Sequence, residues 1–409
     1  MPPLRRNRDF VLLQAGQLFS AAGSESTAIA YPLLVLALTG SPAKAGVVGF
    51  ARLAPHALFG LLAGVAADHW NRKRLMIAAD GIRAIALASL ATAVVLDRTP
   101  FWVIPVVAFV EGAGSAVFGT AQPGALRSIV PARQLPAAAG AQEARRAVVR
   151  LGGPPLGGSL FGIARALPFI VDAVSYCCSI AALLAMRAPF QEPREASAGT
   201  VRSRIAEGFR YLWGRPFLRT TAFLYGLGNF LMPGILLIVV VVGREQGLSG
   251  GELGALVALL GAATLVGSLA SPLFRRALSI RAILLLELWT WLGCWLFVAW
   301  PSVWALTAVL VPFGIAAPVT DSVVVGYTVA MTPDRLLGRV ESVRRTIALL
   351  IAPLGPLVAG LLVAGVSART AVAAFGAVGL GLALWGTLSP SIRAAPSLAE
   401  LDDAATLTG

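Results

Sequence analysis

Histidine occurs twice and cysteine three times in 409 residues, so the chain has little with which to build a metal centre of the Cys/His type. Cys177 and Cys178 are sequence neighbours, poorly placed to bond to each other, and with Cys294 they fall inside apolar stretches. No Walker A pattern is present, which argues against ATP hydrolysis by this chain, and no nucleophile–base pair or metal set suggests an enzyme. Charge is also scarce. Only 13% of residues are Asp, Glu, Lys or Arg, about half the share in a typical soluble domain. What fills the sequence instead is apolar: 57% of residues are hydrophobic and the mean hydropathy is +0.79. A soluble domain of this length is excluded.

A membrane-spanning helix needs about 20 mostly apolar residues. Twelve such stretches can be placed, near 12–38, 44–67, 75–96, 101–125, 138–162 and 166–187, then 217–241, 252–274, 280–300, 302–328, 341–365 and 368–389. The fold class read from this is an all-α membrane protein of twelve transmembrane helices. A polar segment, 188–216, separates the two sets of six as a linker, and 390–409 forms a polar tail. Within the linker, 201–213 reads as an amphipathic helix lying on the membrane surface.

Basic residues set the orientation. With both termini inside, 21 of the 33 Lys and Arg residues fall in inner loops or at inner helix ends, and only Lys44, Arg98, Arg165, Arg244 and Arg369 fall outside. The net charge of +13 therefore reports topology and contact with anionic lipid, and predicts no nucleic-acid partner. The opening MPPLRRNRDF is basic like a signal peptide, but the apolar run behind it is too long for one and reads as a retained first span. The expected location is a plasma or inner membrane with cytoplasmic termini.

The sequence also repeats. Segment 130–158 aligns without gaps on 332–360, an offset of 202 residues, placing Pro131 on Pro333, Leu135 on Leu337, Gly153-Pro154 on Gly355-Pro356 and Gly158 on Gly360. Arg275 and Arg276 fall near where the same offset puts Arg72, Lys73 and Arg74. Two halves of six spans in the same orientation predict a pseudo-twofold pair of bundles, 1–187 and 217–389.

Several motifs agree on a family. In residues 60–74, GLLAGVAADHWNRKR, a small-residue helix face at Gly60 and Gly64 ends in Asp68, followed by Arg72, Lys73 and Arg74. Asn7-x-Asp9-Phe10 near the start, Thr39-Gly40-Ser41-Pro42 after the first span, Asp80 with Arg83, and Gly338-Arg339-Val340 recur beside it. Together they resemble the major facilitator superfamily, in its drug-efflux branch with macrolide and enterobactin-type siderophore exporters. The resemblance implies the two-bundle facilitator fold and alternating access. It implies an inner gate at Gly64, Asp68, Arg72, Lys73, Arg74 and Arg127, where Asp68 accepts charge-assisted bonds from the cations and faces a helix N-terminus. It also assigns Gly153, Pro154, Gly157 and Gly158 to a close-packed pivot resembling an antiporter motif.

Ionisable residues at membrane depth carry the mechanistic reading, because each costs at least about 2.5–3.5 kcal/mol at the bilayer centre. Glu25 in the first span and Glu111 in the fourth stand as alternative proton carriers, with Arg52 as partner, against a fixed ion pair of Arg52 with either. Arg146 and Arg150 lie on one face of the fifth span with Gln142, Arg150 about 18 Å from its start at ~1.5 Å per residue. They read either as an anion-attracting cavity wall or as partners of internal carboxylates. Phe19, Tyr31, Phe118, Tyr225, Asn229 and Phe230 are candidates to line a cavity for a bulky ligand, with core packing as the alternative for each. Asp172 and Glu287 lie on spans that the resemblance makes peripheral and are given no transport role. The expectation is a proton-coupled exporter of an amphipathic small molecule, acting as a monomer without a cofactor. The alternatives are a siderophore or other anion exporter, and a sensor that has kept the scaffold and lost transport.

Overall fold

The computed structural model describes residues 3–188, 190 and 201–395, without the side chains of 61–69, 201–205 and 334. Parts of the predicted linker and tail, 189, 191–200 and 396–409, lie outside the described residues. The described residues are helical with short connections and contain no strand.

Six helices form the first half: α1 Arg8–Thr39, α2 Pro42–His69, α3 Arg72–Val95, α4 Val103–Ile129, α5 Leu135–Ile163 and α6 Leu167–Ala185. Their ends follow from local chemistry. Asn7 caps α1 by accepting from the Phe10 amide, and α1 stops at Gly40, which takes the left-handed conformation (φ 62°) that costs glycine little. Asn71 caps α3 in the same way through the Arg74 amide.

The second half begins with the short helix α7 Val201–Trp213, then α8 Pro216–Glu245, α9 Gly250–Ala277, α10 Ile280–Thr290, α11 Cys294–Ala299, α12 Val303–Met331, α13 Asp334–Ile351, α14 Leu354–Gly365, α15 Ala368–Leu388 and α16 Pro390–Arg393. Among the described residues ten segments are long and apolar enough to cross a membrane, α10 with α11 and α13 with α14 each counting as one. With α2 and α5 they make the twelve spans, and the molecule is a multi-pass membrane protein.

Two predicted spans are not continuous helices. The span placed at 341–365 begins earlier, at Asp334, and breaks at Ala352-Pro353 between α13 and α14. Pro353 explains the break: its ring clashes with the carbonyl four residues back and it has no amide to donate. The equivalent position in the first repeat is Leu151, and there α5 runs on unbroken. The span placed at 280–300 tightens into a 3-10 turn at Trp291–Gly293, where Gly293 lies against Val309 of α12 and leaves no room for a Cβ.

Contacts divide the chain into two compact units. The first holds α1–α6 with Val240–Leu259 and Pro356–Ala364, and the second holds the rest of α7–α16. In the first unit, α1 packs on α5 and α6 while α4 packs between α2 and α3. In the second, α10 packs on α12, α11 on α15, and α7 on α13.

Candidate functional site

A charged interior of the first unit is built around Glu111, about a third of the way along α4. Glycines on α4 bring its neighbours close: a Cβ on Gly112 would collide with the Arg52 carbonyl of α2, and one on Gly114 would meet the Arg83 side chain of α3 at 2.5 Å. Small residues permit such backbone approach in lipid. The Glu111 side chain is 2% exposed and lies between two guanidinium groups.

Arg52 Nε donates to Glu111 Oε2 at 2.9 Å, and its Nη2 donates to the Ser24 carbonyl of α1 at 3.0 Å. Arg83 Nη2 reaches Glu111 Oε1 at 3.5 Å and donates to Ser24 Oγ at 3.0 Å, while its Nη1 donates to Asp80 Oδ1 at 3.2 Å. The Arg83 guanidinium also lies 3.9 Å from the ring centre of Tyr176 in α6. The Tyr176 hydroxyl stands 2.9 Å from Ser24 Oγ and 3.5 Å from Glu111 Oε1. Four helices and α1 thus share one network. Two cations face Glu111 and Asp80, so these four charges balance, as burial in low dielectric requires.

Asp172, fully buried in α6, lies beside this network with no cation in hydrogen-bond contact among the described residues. Thr27 Oγ1 donates to its Oδ2 at 2.9 Å and Ser175 Oγ to its Oδ1 at 3.1 Å. A Cβ on Gly23 would collide with its carboxyl, so α1 meets α6 through that glycine. Assigning α6 to the periphery overlooked this contact. Tyr31 OH, Asp80 Oδ2 and Arg83 Nε are buried polar atoms with no hydrogen-bond partner among the described residues.

Glu25, one residue beyond Ser24, is placed differently. It is half-buried, it makes no hydrogen bond or ion pair among the described residues, and it lies within electrostatic reach of Arg52. Its Cβ faces Gly153 of α5, where a side chain would collide with it. Ser26 Oγ donates to the Gly153 carbonyl at 3.0 Å, and Gly157 backs onto Ser26. The glycines of the 153–158 motif therefore hold α5 against α1 beside Glu25.

The same motif serves a second contact within the first unit. Gly158 and Pro154 of α5 lie against Gly250 and Gly254 of α9, and their repeat equivalents Gly360 and Pro356 of α14 lie against Gly46 and Gly49 of α2. Each crossing is backbone on backbone, and a Cβ on Gly158 or Gly250 would fall onto the other's carbonyl.

The remaining sequence candidates separate by exposure. Tyr31 and Phe118 are packing residues: Tyr31 is buried edge-on to Phe169 at 5.3 Å, and Phe118 sits in an apolar cluster with Phe10, Met76 and Leu126. Tyr225 donates to the Leu284 carbonyl at 2.7 Å, and Phe230 stacks on Phe375 at 5.0 Å, so both are tied to neighbours of the second unit. Phe19, at 58% exposure, Arg146, Arg150 and Asn229 present exposed side chains, Arg146 pairing with Glu143 at 2.5 Å.

At the gate, Arg72 Nη1 donates to the Phe190 carbonyl at 3.3 Å with its guanidinium against Gly124, and Lys73 Nζ donates to the Met186 carbonyl at 2.7 Å. Arg74 and Arg127 are exposed. Gly64 and Asp68 lie on α2, but their side-chain surroundings are outside the described residues.

Comparison with known proteins is consistent with this architecture. Residues 14–288 match the family model of the Major Facilitator Superfamily. The chain is 30% identical over 414 residues to the multidrug efflux pump Tap of Mycolicibacterium fortuitum, covering 96% of this chain and 97% of that one. It is 27% identical to the macrolide efflux protein A of Streptococcus pyogenes over 154 residues, 38% of each chain. Among solved structures, the nucleoside transporter NupG aligns with a TM-score of 0.73 at 13% identity, covering 95% of this chain and all of that one. A bacterial homologue of the human lysosomal transporter Spinster, inward-facing and unoccupied, gives 0.73 at 17% identity, covering 95% and 98%. At such identities the structures speak for the fold alone.

Proposed function

Since this chain belongs to the major facilitator superfamily and is a membrane transporter, we propose that it exports amphipathic small molecules in exchange for protons, with Glu25 carrying the proton. The observation that supports the coupling assignment is the contrast between the two candidate carboxylates, Glu111 and Glu25. Glu111 is held by two arginines, whereas Glu25 makes no hydrogen bond or ion pair among the described residues and stands half-buried within reach of Arg52. A residue that loads and releases a proton once per cycle needs access and must not be locked into a permanent pair. In this reading Glu111 keeps Arg52 in place, and Arg52 senses the charge on Glu25.

Export follows from full-length similarity to a multidrug efflux pump. The 1–187 and 217–389 halves rock about the segment 188–216, with termini inside, and the glycine crossings of α5 with α9 and of α2 with α14 separate when the cavity changes sides. The cluster at Arg72, Lys73, Arg74, Arg127 and Asp68 forms the inner gate. The chain works as a monomer without cofactor, nucleic acid or covalent chemistry. One inward proton supplies about 2.3 kcal/mol per 100 mV, enough for roughly a fortyfold gradient of a neutral substrate at ~1.4 kcal/mol per decade.

Internal pH in energised inside-out vesicles tests this, with macrolides, cationic dyes and catecholates added in turn. Substrate-triggered proton release by the wild-type chain is expected, and its absence for every compound that binds would remove antiport. A second reading, export of an anionic metabolite, draws on the exposed Arg146 and Arg150 of α5. It expects catecholates alone to be moved and Arg150→Ala to abolish their transport.

A further inference from the structure

The second unit contains a cavity that the transport reading does not use. It lies where the C-terminal end of α7, the start of α8, the end of α15 and the short α16 come together, and its volume is about 480 Å³. That is within the usual range for a site holding a small molecule or headgroup. Its lining joins Trp213, Phe223 and Trp385 with Arg219 and the hydroxyl residues Thr220, Ser389 and Ser391. Among the described residues no carboxylate lines it.

Arg219 is held in place yet leaves donors to offer. Its Nη1 donates to the Trp213 carbonyl at 3.3 Å and its guanidinium lies 5.4 Å from the Trp213 ring centre, so the indole fixes its plane. Trp213 in turn stacks on Phe209 at 5.4 Å and meets Phe223 edge-on at 6.0 Å. Of the five guanidinium N–H groups, the carbonyl bond occupies one, and no carboxylate pairs with the side chain among the described residues. Ser391 Oγ donates to Thr220 Oγ1 at 3.0 Å, which orients these two hydroxyls of the lining.

Around the cavity the aromatic rings break the surface, Trp213 at 48% and Trp385 at 42% exposure, while further cations stand at the same end of the unit on Arg210, Arg215 and Arg393. Exposed tryptophans beside cations are what the interfacial region of a bilayer selects, the rings lying at headgroup depth and the charges meeting anionic lipid. The helix that carries Trp213 is anchored: Glu207 of α7 pairs with Arg339 and, at 3.5 Å, with Arg335 of α13, while Tyr211 OH donates to the Met331 carbonyl at 2.6 Å. That docking pairs the only acidic side chain of α7 with arginines of α13, while Arg210, one turn before Trp213, stays exposed.

We propose that this cavity is a binding site for the headgroup of an anionic phospholipid, with the phosphate on Arg219 and the acyl chains leaving past Trp213 and Trp385 into the bilayer. The positive field and the aromatic rim favour a lipid over a free anion, because the walls other than Arg219 are mostly apolar and offer a soluble phosphate little. The site is independent of the proton-coupling assignment, and its test does not read transport.

The test is retention of lipid by the purified full chain, measured by native mass spectrometry after exchange into mixed phosphatidylcholine and phosphatidylglycerol. The wild type is expected to retain phosphatidylglycerol preferentially. Arg219→Gln should weaken that preference about fivefold, which at 1.4 kcal/mol per decade corresponds to the ~1 kcal/mol expected of one cation at a membrane surface. Arg219→Lys, which keeps the charge but loses the planar fork, should fall between the two. Arg98→Gln, an exposed cation far along the sequence and outside this cavity, should leave the preference unchanged. Equal retention of the two lipids by the wild type, or an equal loss in Arg98→Gln and Arg219→Gln, would overturn the proposal. Displacement of the lipid by inorganic phosphate alone at matched ionic strength would also overturn it, since the site would then be one for a free anion. A monodisperse Arg219→Gln preparation with wild-type melting separates these outcomes from misfolding.

Discussion

Replacing Glu111 by Gln removes the negative centre of the buried network while preserving its shape. The side-chain oxygen that remains can still accept from Arg52, but Arg52 then loses its one ion pair among the described residues, while Arg83 keeps Asp80. Breaking a buried pair by neutralising one partner costs about 3–5 kcal/mol because the other charge stays behind. Two features place this case near the lower end, about 3 kcal/mol. Arg52 retains 24% of its side-chain exposure and so some hydration, and Arg83, at 5%, keeps Asp80 at 3.2 Å. At about 2–4 °C per kcal/mol for a unit of some two hundred residues, Tm should fall by about 6–12 °C. Thermal unfolding in detergent, followed by tryptophan fluorescence, reads this directly. Adding Arg52→Gln to Glu111→Gln should recover part of the loss, since the unpaired cation is then gone. A single variant within about 1 °C of the wild type, or a double variant worse than the sum, would refute the view that Glu111 is a structural counterion.

Gly157→Val should separate α5 from α1, because its side chain would overlap the Ser26 backbone; expression in the membrane should fall sharply, and Gly152→Val, which meets nothing within 4 Å, serves as the tolerated control. Gly250→Val should block the crossing with Gly158 and slow substrate counterflow while leaving Tm nearly unchanged if the helices spread, and unchanged counterflow would count against a role for that crossing in the cycle. Glu207→Ala should release α7 from α13; an ion pair this exposed is worth about 0.5–1 kcal/mol, so amide exchange across α7 should accelerate roughly two- to fivefold with little change elsewhere.

What the sequence revealed, and what it hid, follows from the kind of signal each residue carries. Charges inside apolar runs stand out, which is why Glu111 and Arg52 could be singled out before any coordinates, and the structure brings them together at 2.9 Å. Arg83 and Asp80 carried the same signal, an i, i+3 pair within an apolar stretch, but entered the reading as a family motif, so their place beside Glu111 was missed. Ser24, Thr27 and Tyr176 left no comparable mark, because neutral hydroxyls in a membrane helix look the same whether they back-bond to their own helix or join a network. Tyr31 and Phe118 carry a two-way signal: aromatic character predicts large buried area but not whether packing or a cavity supplies it, and their contacts follow the packing alternative. Pro353 was a visible break signal within the repeat, and the contrast with Leu151 could have located the turn between α13 and α14. The 3-10 turn at Trp291–Gly293 had no proline to announce it, and it follows from the close approach of Gly293 to α12.

The coupling role of Glu25 is tested most directly by reconstituting wild type, Glu25→Gln and Glu25→Asp in proteoliposomes and recording proton flux and substrate counterflow together. Glu25→Gln should retain counterflow, which needs only exchange of bound substrate, while losing substrate-triggered proton movement, and Glu25→Asp should restore part of it. Proton movement that survives in Glu25→Gln with unchanged stoichiometry would contradict the assignment and move the proton to another carboxylate of the network.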